Sequence, residues 1–269
     1  LITYSCLILV LARPQSRSSW KDVKAEGIDI MLCMDISHSM LAKDFDPNRL
    51  ESAKEVAKEF IDSRPNDRIG LVVFSGEAFL QCPLTTDHAV LKNIITDVRT
   101  GQMADGTAIG LGLADAVSHV KESTAKSKVV ILLSDGVNNV GEIAPLTAGE
   151  IAKTFGVKIY SVGVGTTGKA LTPVYIYPNG HVEFDYMDVE SDEAVMTKIS
   201  DMTGGQYFRA TDNKSLRKVY SEIDRMEKSV FNETNYSNKA ERFFAFAIAA
   251  AIALLFEFIL KHTIFKTLP

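Results

Sequence analysis

Three short polar stretches carry the residues of this chain that could do chemistry. The first, Met34 to Met40, closes the first strong apolar run and sets Asp35, Ser37 and Ser39 at every second position. The second, Asp105-Gly106-Thr107, stands at the start of a helical pattern, and the third, Ser134-Asp135-Gly136, follows the most apolar run. Carboxylates and hydroxyls are hard oxygen donors of the kind that bind divalent cations such as magnesium. Each stretch alone also fits a turn or a helix cap, and Thr107 is well placed as an N-cap. Three of them on one edge of a fold favour a shared cation site over three unrelated caps.

The elements that must bring them together are legible from periodicity. Ile28–Met34, Arg68–Ser75, Lys128–Leu133 and Val157–Gly163 are continuous apolar runs, the pattern of strands buried on both faces. Between them lie helical patterns at about 47–63, 86–99, 108–121 and 146–155, and two more follow at 191–202 and 213–228. Strands alternating with helices predict a doubly wound α/β fold, Rossmann-like, with a mainly parallel sheet covered on both sides. Ala78–Cys82, after a tight turn at Ser75–Glu77 and before Pro83, is expected as one short antiparallel edge strand. Gln206–Arg209 reads as another edge strand, and Val174–Tyr186 with its Asn179-Gly180 turn as a hairpin insertion. In open parallel sheets ligands collect at the carboxyl ends of strands, where the strand order reverses. The three polar stretches leave such ends.

Composition narrows the function. The net charge is -5 and there is no basic run or stacking array of aromatics, which argues against nucleic acid. Three cysteines make no disulfide framework and no CxxC pair; Cys33 and Cys82 sit in strand patterns and are expected as buried thiols, while Cys6 lies in an apolar segment. A phosphoaspartyl phosphatase wants Asp-x-Asp, and Ser37 holds the place of the second acid. A serine hydrolase wants a Gly-x-Ser-x-Gly elbow, but Ser75-Gly76 lacks the first Gly, and the five histidines at 38, 88, 119, 181 and 262 form no triad pattern.

The ends differ from the middle. Phe243–Leu260 is almost wholly apolar and as a helix spans about 27 Å, close to a bilayer core, with its one acid, Glu257, a turn before Lys261. The first dozen residues are apolar but too short to cross alone. The expected organisation is the end of a truncated transmembrane helix at 1–12, a linker at 13–27, one α/β domain at 28–229, a linker at 230–241, a transmembrane helix at 242–261 and a tail at 262–269.

Here the residues carry a resemblance. Asp35-x-Ser37-x-Ser39, then Thr107 in a Gly-Thr-Ala-Ile-Gly setting, then Ser134-Asp135-Gly136 resembles the metal-ion-dependent adhesion site (MIDAS) of von Willebrand factor A (vWA) domains over about Ile28–Lys228. The resemblance implies that Ser37, Ser39 and Thr107 give hydroxyl ligands and that Asp35 and Asp135 bind directly or through water. It gives Asp105 no assured ligand role. The implied cation is Mg2+, with Mn2+ or Ca2+ as alternatives, and its open position takes a Glu or Asp from a partner protein. Leu11–Gln15, Asn48–Glu51, Asn66–Gly70, Gln81–Thr85, Gly101–Gly112, Ser134–Glu142 and Thr203–Phe208 further resemble the bacterial aerotolerance (Bat) membrane proteins, BatA type. That likeness implies an inner-membrane protein with a periplasmic vWA domain, acting in envelope integrity or oxygen tolerance. Other Bat-type proteins and a MoxR-type AAA+ ATPase are the implied partners. His38 stands where many relatives carry Gly and has no assigned part. The competing functions are a metal-dependent hydrolase or phosphatase and a structural membrane protein with an unused metal site.

Overall fold

Seven consecutive buried residues, Asp29–Asp35, form the central strand β1 in the computed structural model of the chain. The structure describes residues 15–16, 27–177, 181–189, 191–232 and 240–241, and within the C-terminal segment 247–248, 251–252, 254–255 and 258–259. The chain divides into two compact units, Lys24–Val230 and a second made of Leu1–Val23 with Phe231–Pro269.

In the first unit β1 leads to helix α1 (Arg49–Asp62), strands β2 (Arg68–Phe74) and β3 (Ala78–Thr85), and helices α2 (His88–Asp97) and α3 (Ile109–Val120). Strand β4 (Lys128–Ser134), helix α4 (Pro145–Thr154) and strand β5 (Lys158–Val164) follow, then a hairpin of β6 (Lys169–Ile176) and β7 (Val182–Asp188). Helix α5 (Glu193–Thr203), strand β8 (Tyr207–Ala210) and helix α6 (Asn213–Asn232) complete the order. The main sheet runs β3-β2-β1-β4-β5-β8, parallel except for β3. Strand order therefore reverses at β1, whose neighbours are β2 on one side and β4 on the other. Asp35 leaves β1 there, and Met34 pairs with Leu133, one residue before Ser134.

Alternation along β1 explains the burial. Met31 and Cys33 join Val130, Leu132, Val72 and Phe74 under α3, α4 and α5, where Leu113, Val117, Ala148 and Ile199 close one core. Ile30, Leu32 and Met34 point the other way and are equally buried. Helix α1 gives Leu50, Ala53, Val56, Ala57, Phe60 and Ile61 to the interior, and Phe60 meets Tyr220 of α6 edge-to-face at 5.1 Å. Each such large apolar side chain contributes about 1.5–3 kcal/mol by burial. Cys33 and Cys82 are buried free thiols.

The antiparallel edge strand is longer than its apolar pattern. It runs through Pro83 to Thr85, because Pro83 falls where the ladder to β2 shifts register and no bond from its nitrogen is required. The hairpin also begins earlier than its Asn-Gly turn suggests, at Lys169, and forms a two-stranded sheet of its own; the turn residues 178–180 lie outside the described residues.

In the second unit Gln15–Ser16 pairs antiparallel with Ala240–Glu241. Among the described residues no helix is long and apolar enough to cross a membrane. Most of the span expected at 242–261 lies outside them; those within it that are described are helical, with Ile248, Ile252, Leu254, Leu255, Phe258 and Ile259 exposed.

Candidate metal centre

Asp35 is wholly buried at the end of β1, and both of its oxygens are fixed. The Ser37 amide donates to Oδ1 at 2.9 Å and the Ser134 hydroxyl donates to Oδ2 at 2.6 Å. The chain then turns in a short 3-10 segment, His38–Leu41, which starts after Ser37 without a side-chain cap. Ser37 is thus free of the capping duty its type suggests. Its Oγ lies 3.0 Å from Ser39 Oγ, and Ser39 Oγ donates to Asp135 Oδ1 at 2.7 Å.

Thr107 arrives from a loop clamped on both sides. Its amide donates to Asn139 Oδ1 at 2.8 Å, and its carbonyl accepts from the Asn139 amide at 3.1 Å. Ser75 Oγ holds the Gly106 carbonyl at 3.0 Å, and the Gly76 amide donates to the Ala104 carbonyl at 2.8 Å. A side chain at Gly76 would lie 2.8 Å from the Ala104 oxygen and 2.9 Å from that of Asp105, so the approach needs glycine. Helix α3 begins after Ala108 with no side-chain cap. The Thr107 hydroxyl instead lies 3.3 Å from where a Cβ on Gly136 would stand, beside Asp135. The structure therefore links Asp35, Ser37, Ser39 and Asp135 at the carboxyl ends of β1 and β4 and sets the Thr107 hydroxyl beside Gly136, the residue after Asp135.

Two buried acids face each other there. Burial, and next the charge of Asp135, push Asp35 up to about 7 in spite of its hydrogen bonds to Ser134 and Ser37. Burial also raises Asp135, against the pull of Arg49 and Ser39. A site that penalises its own carboxylates in this way is one that a dication would relieve. The donors are all oxygen, which fits a hard cation. Among the described residues no group of three or more His, Cys, Asp or Glu side chains could hold a metal.

Arg49 is the residue that the sequence pattern does not reveal. It is 2 % exposed, and its Nη1 donates to Asp135 Oδ2 at 2.7 Å. Its Nε and Nη2 grip Asp44 at 2.8 and 2.6 Å. Burial opposes the charges on both partners, but the Arg49 hydrogen bonds, joined by one from the Thr166 amide, hold Asp44 below the usual carboxylate range. One signal in the sequence points to this. Arg49 is the first residue of α1, where a cation opposes the helix dipole and so implies an anion close by. Asp44 and Asn139 carry no such signal.

His38 and Asp105 sit at the rim. His38 Nδ1 lies 3.0 Å from Asp105 Oδ2 and its amide donates to Asp105 Oδ1 at 3.2 Å. The histidine thereby ties the first loop to the second and engages both oxygens of Asp105.

The parallel sheet reversing beneath these polar loops accords with a family match: the chain matches the von Willebrand factor type A domain over residues 30–138. More particularly, it is similar to BatB of Bacteroides thetaiotaomicron (29% identity, TM-score 0.64), covering 75% of this chain and 100% of that one. An aerotolerance-related membrane protein of Bacteroides fragilis is equally similar (29%, TM-score 0.63, 74% and 100% covered). An uncharacterized protein of Borreliella burgdorferi is 32% identical over 222 residues, which are 82% of this chain and 65% of the relative's length. Proximal thread matrix protein 1 of the mussel byssus, whose MIDAS motif has been seen occupied by zinc, shares the fold at 24% identity (TM-score 0.58, 75% and 46% covered).

Proposed function

We propose that the chain is a membrane-anchored protein-interaction module that captures an acidic residue of a partner protein through a divalent cation. Asp35, Ser37, Ser39, Thr107 and Asp135 are the proposed ligand set. The observation that carries this is the linkage of the Ser37–Ser39 loop to Asp135, itself shared with Arg49, and of the same loop to the Thr107 loop through His38 and Asp105. Mg2+ is the proposed cation because every donor is oxygen; the zinc bound by the mussel protein supports a divalent ion without naming it. When bound, the ion supplies a positive point: three of the five proposed ligands are neutral hydroxyls and Asp135 shares its charge with Arg49, so an incoming carboxylate is attracted.

Binding rather than catalysis is proposed because the groups that hydrolysis would need are spent elsewhere. Ser75 donates its hydroxyl to the Gly106 carbonyl, and His88 meets the Asp67 carbonyl at 3.0 Å. The proposed biological setting is that of a BatA-type inner-membrane protein with a periplasmic domain, acting in envelope integrity or oxygen tolerance alongside other Bat proteins and a MoxR-type ATPase; the likeness to a BatB and to an aerotolerance-related protein supports the Bat family without its type. The Bacteroides fragilis neighbour is itself described as an aerotolerance-related membrane protein. The acid-free tail Lys261–Lys266 suits the cytoplasmic side.

The test is a pull-down from membranes with the full chain and with Asp35→Ala, each with Mg2+ and with EDTA. Capture confined to the unmodified chain in Mg2+ is expected; capture that survives EDTA overturns the reading. Phosphatase or esterase turnover that vanishes in Asp35→Ala would instead establish an enzyme. Proteolysis of spheroplasts checks the topology, since a fully protected domain is cytoplasmic.

A further inference from the structure

The hairpin β6–β7 belongs to no sheet but its own, yet it is tied to the cation site. The Lys43 amide donates to the Leu171 carbonyl at 2.9 Å, and Lys43 Nζ lies 4.1 Å from the ring centre of Phe184. At the hairpin's root the Thr166 amide donates to Asp44 Oδ2 at 2.9 Å. That same carboxylate oxygen is held by Arg49 Nη2, and Arg49 Nη1 holds Asp135. Gly165, at φ +137, comes so near that a Cβ there would stand 3.0 Å from Arg49 Nη2. A chain of charge-assisted hydrogen bonds thus runs from Asp135 through Arg49 and Asp44 to Thr166.

We propose that Arg49 is a positioning residue that fixes the orientation of Asp135 at the cation site and, through Asp44, couples that site to the root of the β6–β7 hairpin. This rests on the cation site proposed above. Arg49 reserves Asp135 Oδ2, leaving Oδ1, already oriented by Ser39, as the oxygen turned toward the site. Its planar fork serves two acids at once, which a lysine's single point charge cannot do. Because Asp44 is pinned by the same guanidinium, any shift of Asp135 on cation binding is transmitted to the Thr166 amide and the strands that follow it. The hairpin in turn exposes Val174, Tyr175, Tyr186 and Met187, so its position affects the surface offered beside the site.

Two measurements on the full chain in detergent test this: Mg2+ binding by calorimetry and amide exchange of residues 166–176 with and without Mg2+. The unmodified chain is expected to bind Mg2+ and to slow exchange at the hairpin root when it does. Asp44→Asn, which keeps the shape of the side chain, is expected to bind Mg2+ within a few-fold while the hairpin no longer responds. Arg49→Lys is expected to weaken Mg2+ binding by about tenfold or more, the usual effect of losing an outer-shell partner. A purely structural role would lower stability in both variants but leave the hairpin's response to Mg2+ in place. The proposal fails if the unmodified chain binds Mg2+ with no change at the hairpin, or if both variants bind and respond as it does. No Mg2+ binding by the unmodified chain removes the cation site itself, a different failure seen in the first titration.

Discussion

Ser39 donates its hydroxyl to Asp135, ninety-six positions further along the chain, at 2.7 Å. Neither residue lies in a hydrophobic run, and their meeting depends on β1 and β4 lying side by side in register. Every consequence of the site depends on that adjacency.

Substitution of Asp35 by Asn removes a buried charge while keeping an acceptor for the Ser37 amide. The metal-free protein is then expected to become more stable by about 1 kcal/mol, a rise in Tm of about 2–4 °C for a domain of this size. The same variant is expected to lose the stabilisation by Mg2+, about 2.7 kcal/mol at a hundredfold excess over Kd in the unmodified chain. Thermal melts with and without Mg2+ measure both.

Asn139→Ala unclamps the Thr107 loop. Loss of a partner for the partly buried Thr107 amide is expected to cost about 1–2 kcal/mol in denaturant unfolding. A drop in Mg2+ affinity of about tenfold should accompany it, since Thr107 is then no longer pre-positioned. Gly76→Ala, which drives a methyl into the Ala104 and Asp105 carbonyls, is expected to act in the same direction.

Far from the site, Glu227 is buried, which raises its carboxyl, but hydrogen bonds from Tyr160 at 2.6 Å, Ser127 at 2.8 Å and Lys158 at 3.0 Å outweigh burial and hold it below its ordinary value. A depressed folded value stabilises the domain above the unfolded glutamate range and ceases to do so as pH falls through the folded value. Glu227→Gln is therefore expected to cost about 1–3 kcal/mol at neutral pH. The gap between the two proteins should narrow in acid, as urea unfolding across a pH series would show.

His38→Gly removes a half-exposed pairing with Asp105. Exposed pairs of this kind contribute about 0–1 kcal/mol, so the melting temperature should scarcely move. Partner capture should change instead, because the loops bearing Ser39 and Thr107 lose their tie at the rim; binding assays that differ while melts coincide would establish this.

The strands and helices were legible because their patterns repeat locally: β1, β2, β4 and β5 are unbroken apolar runs, and α1 shows its buried stripe at helical spacing. The three loops were legible as oxygen donors because Asp, Ser and Thr stand where each run stops. Arg49 and Asp44 were not, because their partners are set by tertiary packing that no local period encodes. His38 was opaque for the same reason, since its partner Asp105 is sixty-seven positions away. Pro83 misled in a different way. A proline ends a central strand, but on an edge next to a register shift it costs the ladder nothing.

That proline has a further effect. An open edge strand is a template on which stray chains can polymerise, and β3 is the long open edge of this sheet. An imino residue and a register slip interrupt its row of amide donors, while the opposite edge, β8, offers only four residues. The sheet is thereby guarded against adding strands of its own kind.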